Sequence, residues 1–148
     1  MRQYMQKGTL IAFALLSIFP AAAKASALTL TVTGIPEAGI LNIGVFETAE
    51  GFESKDRGGT GGRPGLVHGA RHAVEAGTAR LTFEVPKGRY AIKLFLDLNG
   101  NAEVDTNFLG IPKEPFGFSN NAKGKLGPPS FDAAAFTLED AREISIAL

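Results

Sequence analysis

The stretch TARLTFEVPKGRYAIKLFLD, from Thr78 to Asp97, alternates apolar and polar side chains on both sides of a central Pro-Lys-Gly break. A repeat of two residues places alternate side chains on opposite faces of an extended chain, so the pattern predicts two strands that each bury one face. We expect Lys87 and Gly88 to form a tight turn that makes the two strands a hairpin. The predicted inward residues are Ala79, Leu81, Phe83, Val85, Tyr90, Ile92, Leu94 and Leu96.

Similar strand patterns occur on both sides of this stretch. They lie upstream at 28–34 and 40–47, and downstream at 134–138 and 142–148. We find no long segment with the period of an amphipathic helix, and short strands joined by glycine- and proline-bearing turns are typical of an antiparallel β-sandwich. The sequence therefore predicts an all-β sandwich of about seven strands. Two segments, Glu50–Gly77 and Gly110–Ser130, are expected to be long loops with short ordered pieces of their own.

The first 27 residues resemble an export signal. Positively charged residues precede an apolar run at Leu10–Phe19, and small residues follow it. The run is about ten residues long, which suits a signal peptide and is too short to cross a bilayer. We expect cleavage after Ala27, because the strand pattern begins at Leu28; a retained membrane anchor is the alternative. The predicted mature chain, residues 28–148, is one domain in the periplasm or outside the cell, with no membrane span after cleavage.

The composition of the 148-residue chain restricts its chemistry and its partners. It has no cysteine, which excludes thiol catalysis and metal sites built on thiolates. The whole chain is neutral and the leader holds three basic residues and no acid, so the mature chain carries a charge of about −3. Nucleic acid and anionic lipid require a basic surface, and neither is expected as a partner.

The segment DLNGNAEVD, which follows the second strand, carries side-chain oxygens at alternating positions. Such spacing wraps a loop round one point, and Ca²⁺ binds six to eight oxygen ligands in flexible loops of this kind. We therefore predict a Ca²⁺ site in which Glu103 supplies a carbonyl or carboxylate oxygen. The side-chain ligands would be Asp97, Asn99, Asn101 and Asp105.

This segment departs from an EF-hand loop at two positions. Ala102 stands where the sharp turn usually takes glycine, and Phe108 stands where a bidentate glutamate is usual. The alternative is a polar turn without metal, because Asn, Asp and Gly also favour Asx-turns and left-handed backbone.

Phe116 and Phe118 are separated by one residue, so an extended segment would point both rings the same way. Two roles are open for them. They either fill a gap between the sheets or form an exposed contact for a protein or cell-envelope partner.

Other polar residues give weaker indications of chemistry. His68 and His72 would share a face in a strand or helix and could bind a transition metal, but no third ligand is evident, and surface histidines on a loop are the alternative. Asp105 and Glu114 could act as a pair of hydrolytic carboxylates. Sugar-binding sites usually have aromatic platforms, and the chain has no tryptophan.

Three segments resemble the DUF2141 family, a group of exported bacterial proteins of unknown function. They are VPKGRYAIKLFLDLNGN, DTNFLGIPKEPFGFSNNA and GPPSFDAAAF, and the resemblance covers nearly the whole predicted mature chain. It implies an exported β-domain and no particular reaction. The segment VPKGRYAIKLFLD is also similar to a hairpin of prealbumin-like (transthyretin-like) sandwiches, which implies that Gly88 makes the turn and that Tyr90 anchors the strand.

These features together predict an exported, non-enzymatic binding or structural module. Its working surface would be the loop at 97–105 and its continuation at 110–121. Ca²⁺ would order the long segment that follows the loop. The alternatives are a plain interaction or scaffold domain without metal, and a weak carboxylate-based hydrolase.

Overall fold

The computed structural model describes residues 24–54 and 63–148, so most of the predicted leader lies outside the described residues. The described chain forms eight strands, two short helices and a 3-10 turn at Ser119–Asn121. The helices are α1 (Ala49–Glu53) and α2 (Phe131–Ala134). The strands are β1 (Ala25–Ile35), β2 (Gly39–Phe46), β3 (Leu66–Val74), β4 (Gly77–Pro86), β5 (Gly88–Asp97), β6 (Phe116–Phe118), β7 (Phe136–Leu138) and β8 (Arg142–Ala147).

The strands form two sheets. The three-stranded sheet has the order β4-β1-β8, and the five-stranded sheet has the order β3-β2-β5-β6, with β7 also paired to β5. Every pair of named strands is antiparallel except β1 with β8, which run parallel. The predicted all-β sandwich is confirmed, with one parallel pair that the sequence did not indicate. No helix in the described part of the chain is long and apolar enough to cross a membrane.

The core lies between the sheets and contains the alternating apolar residues predicted from the sequence. Leu30 of β1, Ile92 of β5 and Ile146 of β8 are fully buried there. Burying one such side chain stabilises the fold by about 1.5–3 kcal/mol. Most inward residues of the 78–97 stretch belong to this core: Phe83, Val85, Tyr90, Ile92, Leu94 and Leu96 are buried, and Ala79 and Leu81 pack against them.

The predicted hairpin of β4 and β5 is wrong. β4 pairs with β1 in one sheet, whereas β5 pairs with β2, β6 and β7 in the other. Pro86, Lys87 and Gly88 therefore carry the chain from one sheet to the other. Alternation shows which face of a strand is buried but does not show which neighbour it pairs with.

Tyr90 stabilises this crossing between the sheets. Its ring is buried, and its hydroxyl donates a hydrogen bond of 2.8 Å to the carbonyl oxygen of Pro86. Burial, with a smaller effect of Glu47, raises the pKa of the phenol, so Tyr90 stays a neutral donor. A methyl group at Gly88 would lie 2.8 Å from the Tyr90 hydroxyl. The close approach of the ring explains why glycine stands in this crossing.

The two segments predicted as long loops contain ordered elements. The segment 50–77 holds most of α1 and all of β3, and the segment 110–130 holds β6 and the 3-10 turn. The Thr48 hydroxyl caps α1 by accepting a hydrogen bond from the Gly51 N–H at 3.3 Å. β3 pairs along β2 at the edge of the five-stranded sheet. Its inward face is only half-buried, which is why its apolar pattern is weak.

β1 begins three residues before Leu28, the position at which the predicted strand began. Ala25, Ser26 and Ala27 pair with Pro86, Val85 and Glu84 of β4, and Ser26 is buried. Residues on the leader side of the predicted cleavage point thus belong to the sheet. Cleavage after Ala27 stays a prediction.

A second apolar cluster lies outside the sandwich, on the outer face of β2 and β5. It consists of Phe46, Phe52, Ala91, Phe131 and Ala134 and is covered by α1 and α2. The Phe52 ring meets Phe46 and Phe131 edge-on, with centroid distances of 6.2 and 6.0 Å. The helices cover only one end of this outer face. The uncovered part of the face forms one side of a groove.

Candidate functional site: an outer groove and the adjoining polar loop

A groove of about 660 Å³, here called the outer groove, lies on the outer face of the five-stranded sheet. Its floor comes from β2, β3 and β5, and its walls come from α1, β6 and the loops at 104–112 and 127–130. The side chains that line it include Phe52, Lys93, Phe95, Phe116, Phe118 and Pro128.

Two glycines lie side by side in the floor of the outer groove. Gly44 of β2 pairs with Gly69 of β3 on one side of the strand. On the other side of the strand it pairs with Lys93 of β5. Lys93 in turn lies opposite Phe118 of β6. A methyl group at Gly44 would lie 2.5 Å from the Phe46 ring, so only glycine fits this position without a shift. Glycine inside a strand often marks a place where another group approaches the backbone.

Phe116 and Phe118 lie on the same face of β6, as their spacing predicted, and that face is the outer one. Gly117 between them faces the core, where an added methyl group would lie 2.5 Å from the Ile146 side chain. The Phe118 ring packs edge-on against Phe52 at 6.0 Å, and the Phe116 ring, 47% exposed, lies 5.8 Å from that of Phe118. Neither ring fills a gap between the sheets. Both line the groove; contact with a partner stays a prediction.

The charged groups beside Phe52 hold the local structure. The Lys93 ammonium donates to the carbonyl oxygens of Gly51, Phe52 and Ser54 at 3.4, 2.7 and 3.4 Å, at the C-terminal end of α1. It also lies 4.7 Å from the centre of the Phe46 ring, close enough for a cation–π interaction. Lys93 therefore fixes the helix that forms one wall.

The loop at 97–105 is organised around the buried Asp97 carboxylate. Its oxygens accept hydrogen bonds from the N–H groups of Gly100 at 2.6 Å and Ala102 at 2.8 Å, and Arg71 lies 3.3 Å away. Burial raises the pKa of Asp97, but these N–H donors, that of Asn99 and the Arg71 charge together outweigh it, so the net pKa is lowered. Ala102 has a φ of 64°, the left-handed backbone that usually requires glycine.

Asn99 and Asn101, two of the other predicted cation ligands, gather around Asp105. The Asp105 carboxylate accepts hydrogen bonds from the side-chain amides of Asn99 at 2.5 Å and Asn101 at 3.2 Å. The amide oxygens of Asn99 and Asn101 accept the backbone N–H groups of Asn101 and Glu103, respectively. The structure thus brings four of the predicted residues to one turn and leaves the Glu103 side chain exposed. In the described ranges, no group of three or more His, Cys, Asp or Glu residues is arranged to hold a metal ion.

Glu114 connects the polar loop to the outer groove, a role that the sequence did not indicate. Its buried carboxylate accepts hydrogen bonds from the N–H groups of Leu98 at 2.9 Å and Asp105 at 3.1 Å. Both ends of the loop are therefore tied to one side chain. Val104 lies between these two ties, and Gly110 and Pro112 lie between Asp105 and β6; all three form part of the groove wall.

His68 and His72 lie on β3, and their side chains face the interior. The alternative that they lie on a surface loop is therefore wrong. The His68 ring lies 4.5 Å and the His72 ring 6.1 Å from the Phe83 ring. Burial, followed by the neighbouring charge of His72, lowers the pKa of His68. The two rings therefore pack against the core, and no third metal ligand joins them among the described residues.

Stability is expected to fall as the pH drops below about 6.5, the ordinary pKa of histidine. Because the pKa of His68 is lower in the folded chain than in the unfolded chain, the unfolded chain takes up a proton more readily, so acidification favours unfolding. Urea unfolding at neutral pH and about one unit below the ordinary pKa measures the effect. A His68→Gln variant should lose part of this pH dependence. An unchanged pH dependence in that variant would contradict the assignment to His68.

The fold and the outer groove define a β-sandwich with a concave apolar surface beside an ordered polar loop. Residues 30–145 match the family model described as "Uncharacterized protein conserved in bacteria (DUF2141)". The chain therefore belongs to the DUF2141 family, which confirms the resemblance found in the sequence. No curated protein and no solved structure shows significant similarity to it, so the prealbumin-like resemblance stays a prediction.

Proposed function

We propose that the protein is an exported, non-enzymatic binding module that takes a small apolar ligand into the outer groove. The observation that carries this proposal is a groove of about 660 Å³ lined by phenylalanine and proline side chains on an otherwise complete sandwich. Small-molecule sites typically have volumes of about 300–1,000 Å³ and predominantly apolar walls. The partner role predicted for Phe116 and Phe118 then becomes contact with this ligand.

The contacts around the groove indicate that the binding site is formed before a ligand arrives. Gly44 leaves room for the Phe46 ring, while Lys93 and the aromatic contacts of Phe52 fix the walls. A ligand that buries about 350 Å² of apolar surface, counting its own and that of the groove, gains about 9 kcal/mol, and an association cost of about 4 kcal/mol leaves about 5 kcal/mol. We therefore expect affinities of about 0.1 to 1 mM for simple apolar probes.

The neutral dye N-phenylnaphthylamine should bind the groove, with an increase and a blue shift of its fluorescence. Phe116→Ala should weaken this binding by about tenfold, because truncating a ring in contact with a ligand costs about 1–2 kcal/mol. Phe108→Ala is the matched control: it removes an equal ring that is 95% exposed and does not line the groove. Equal loss of binding in both variants would show that the dye binds elsewhere.

A protein contact is the second candidate function, and an exposed apolar turn favours it. Phe108, Leu109 and Ile111 are 95%, 68% and 55% exposed. The Asn107 side chain holds this turn by accepting the N–H groups of Leu109 and Ile111 at 2.9 and 3.0 Å. A photo-crosslinker at position 108 should capture one recurrent partner in cells; a crosslinker at the exposed Asp132 is the control.

The polar loop would bind Ca²⁺ and so stabilise the groove wall formed by Val104 and Pro112. The convergence of Asn99, Asn101 and Asp105 on one turn supports this role, together with the left-handed Ala102. Modest affinity is expected, in the range of about 10⁻⁴ to 10⁻³ M.

After chelation, added Ca²⁺ should raise the melting temperature of the protein by several degrees, because a ligand at about 100 times its Kd stabilises the folded state by about 2.7 kcal/mol. Mg²⁺ should have a smaller effect, since it needs rigid octahedral geometry. Asp105→Ala should remove the response, and Asp132→Ala, which changes an exposed acid in α2, should keep it. If added Ca²⁺ does not change the melting temperature of the unmodified protein, the Ca²⁺ site is wrong. The loop is then a polar turn without metal.

A further inference from the structure

Most polar side chains of the outer groove already have partners within the protein. Lys93 caps α1, as described above, and the Glu53 carboxylate accepts the N–H of Phe131 at 2.8 Å. The Ser54 hydroxyl donates to the Gly51 carbonyl oxygen at 2.8 Å, and the Ser130 hydroxyl caps α2. These four groups stabilise the walls and are not directed at a ligand.

Arg63 differs from these groups. Its Nε atom is buried and has no hydrogen-bond partner among the described residues, although the side chain lines the groove. A buried donor without an acceptor costs about 1–3 kcal/mol, and more where the group is charged. The Nε–H of Arg63 is thus a buried donor, on a charged group, that has no acceptor in the described part of the chain.

The backbone around Arg63 is held in place. The carbonyl oxygen of Arg63 accepts the N–H of Leu66 at 3.2 Å, and that of Gly65 accepts the N–H of Glu47 at 2.8 Å. Arg63 leads into β3 at one edge of the five-stranded sheet, whereas Phe116 belongs to β6 at the other edge. Three strand spacings, or about 14 Å, separate these edges. The groove therefore has a cationic end and an aromatic end.

We propose, building on the proposed function, that the ligand of the outer groove is a small amphipathic carboxylate. Its carboxylate group accepts hydrogen bonds from the Arg63 guanidinium, and its apolar body extends along the outer face of the sheet towards Phe116. Arginine presents its N–H groups in a fork that matches the two oxygens of a carboxylate. With Arg63, Lys93 and Glu53 the groove has a net positive charge, which complements a single negative charge.

Octanoate and octanol test this proposal, because they share an apolar chain and differ in the charge of the head group. Isothermal titration should give octanoate an affinity about tenfold above that of octanol, as expected for one charge-assisted contact at a partly exposed site. In Arg63→Gln the octanoate affinity should fall to that of octanol, while the octanol affinity stays unchanged and reports an intact groove. Lys125→Gln removes one exposed positive charge outside the groove and should keep the preference.

The possible outcomes separate the two proposals. If Arg63→Gln keeps the full preference for octanoate, or if the unmodified protein binds both compounds equally, the carboxylate assignment is wrong and the groove remains a binding site. If neither octanoate nor octanol binds the unmodified protein, the proposed function fails and this inference with it. Arg63→Lys, which keeps the charge without the fork, should retain part of the preference and provides a second variant if the glutamine substitution unfolds the chain.

Discussion

Replacing Asp97 with alanine is expected to lower the free energy of unfolding by about 3 kcal/mol. The N–H groups of Gly100 and Ala102 would lose a charged acceptor, and Arg71 would lose its partner. Because the Asp97 side chain is fully buried, water replaces these contacts poorly. Urea unfolding measures the change.

Asp105→Ala is the matched control for this experiment. The Asp105 carboxylate accepts only side-chain amides in an exposed turn, so its loss should cost less than about 1 kcal/mol. The lowered pKa of Asp97 also predicts how the stability of the protein depends on pH. Its stabilising contribution is complete above its ordinary pKa of 3.8 and is lost as the pH falls through its lower folded value. Equal effects of the two alanine variants would show that Asp97 does not organise the loop.

Gly51→Ala is expected to destabilise the protein by about 3 kcal/mol or more, in spite of the better helix propensity of alanine. A methyl group at this position of α1 would lie 1.6 Å from the carbonyl oxygen of Pro64. Either α1 or the segment that carries Arg63 must then move, and binding of octanoate should weaken as well. Urea unfolding and titration measure the two effects.

Gly127→Ala provides the control for crowding, because nothing lies within 4 Å of the methyl group that it would add. Its free energy of unfolding should stay within about 0.5 kcal/mol of the unmodified protein. A Gly51→Ala variant that is as stable as the unmodified protein would contradict the packing of α1 against Pro64.

The long strands could be predicted because their buried faces are strongly apolar. Leu28, Leu30 and Val32 alternate with threonine in β1, and the inward residues of β4 and β5 follow the same rule. β3 was missed because its half-buried inward face carries His68, Ala70 and His72 in place of large apolar residues. The alternation of apolar and polar residues also could not predict which strands pair. The parallel pairing of β1 with β8 depends on residues far apart in the chain, which local alternation does not encode.

The candidate site could be predicted only in part for a related reason. The residues of the polar loop lie close together in the sequence, so their convergence on Asp105 follows from local spacing. The outer groove instead joins Gly44, Gly69 and Lys93, which come from three different strands. Each of these is an ordinary residue alone, and only the register of the five-stranded sheet brings them side by side. The structural role of Glu114 likewise depends on contacts across a turn.

The order β4-β1-β8 has a consequence for the way the protein is made. The central strand of this sheet is among the first to leave the ribosome, yet one of its two neighbours is among the last: Thr31 of β1 bonds to Glu143 of β8, 112 positions away. Such distant pairing closes slowly. The sandwich therefore cannot be completed until β8 has been synthesised, and this delay suits the export proposed above, because translocation channels pass unfolded chains.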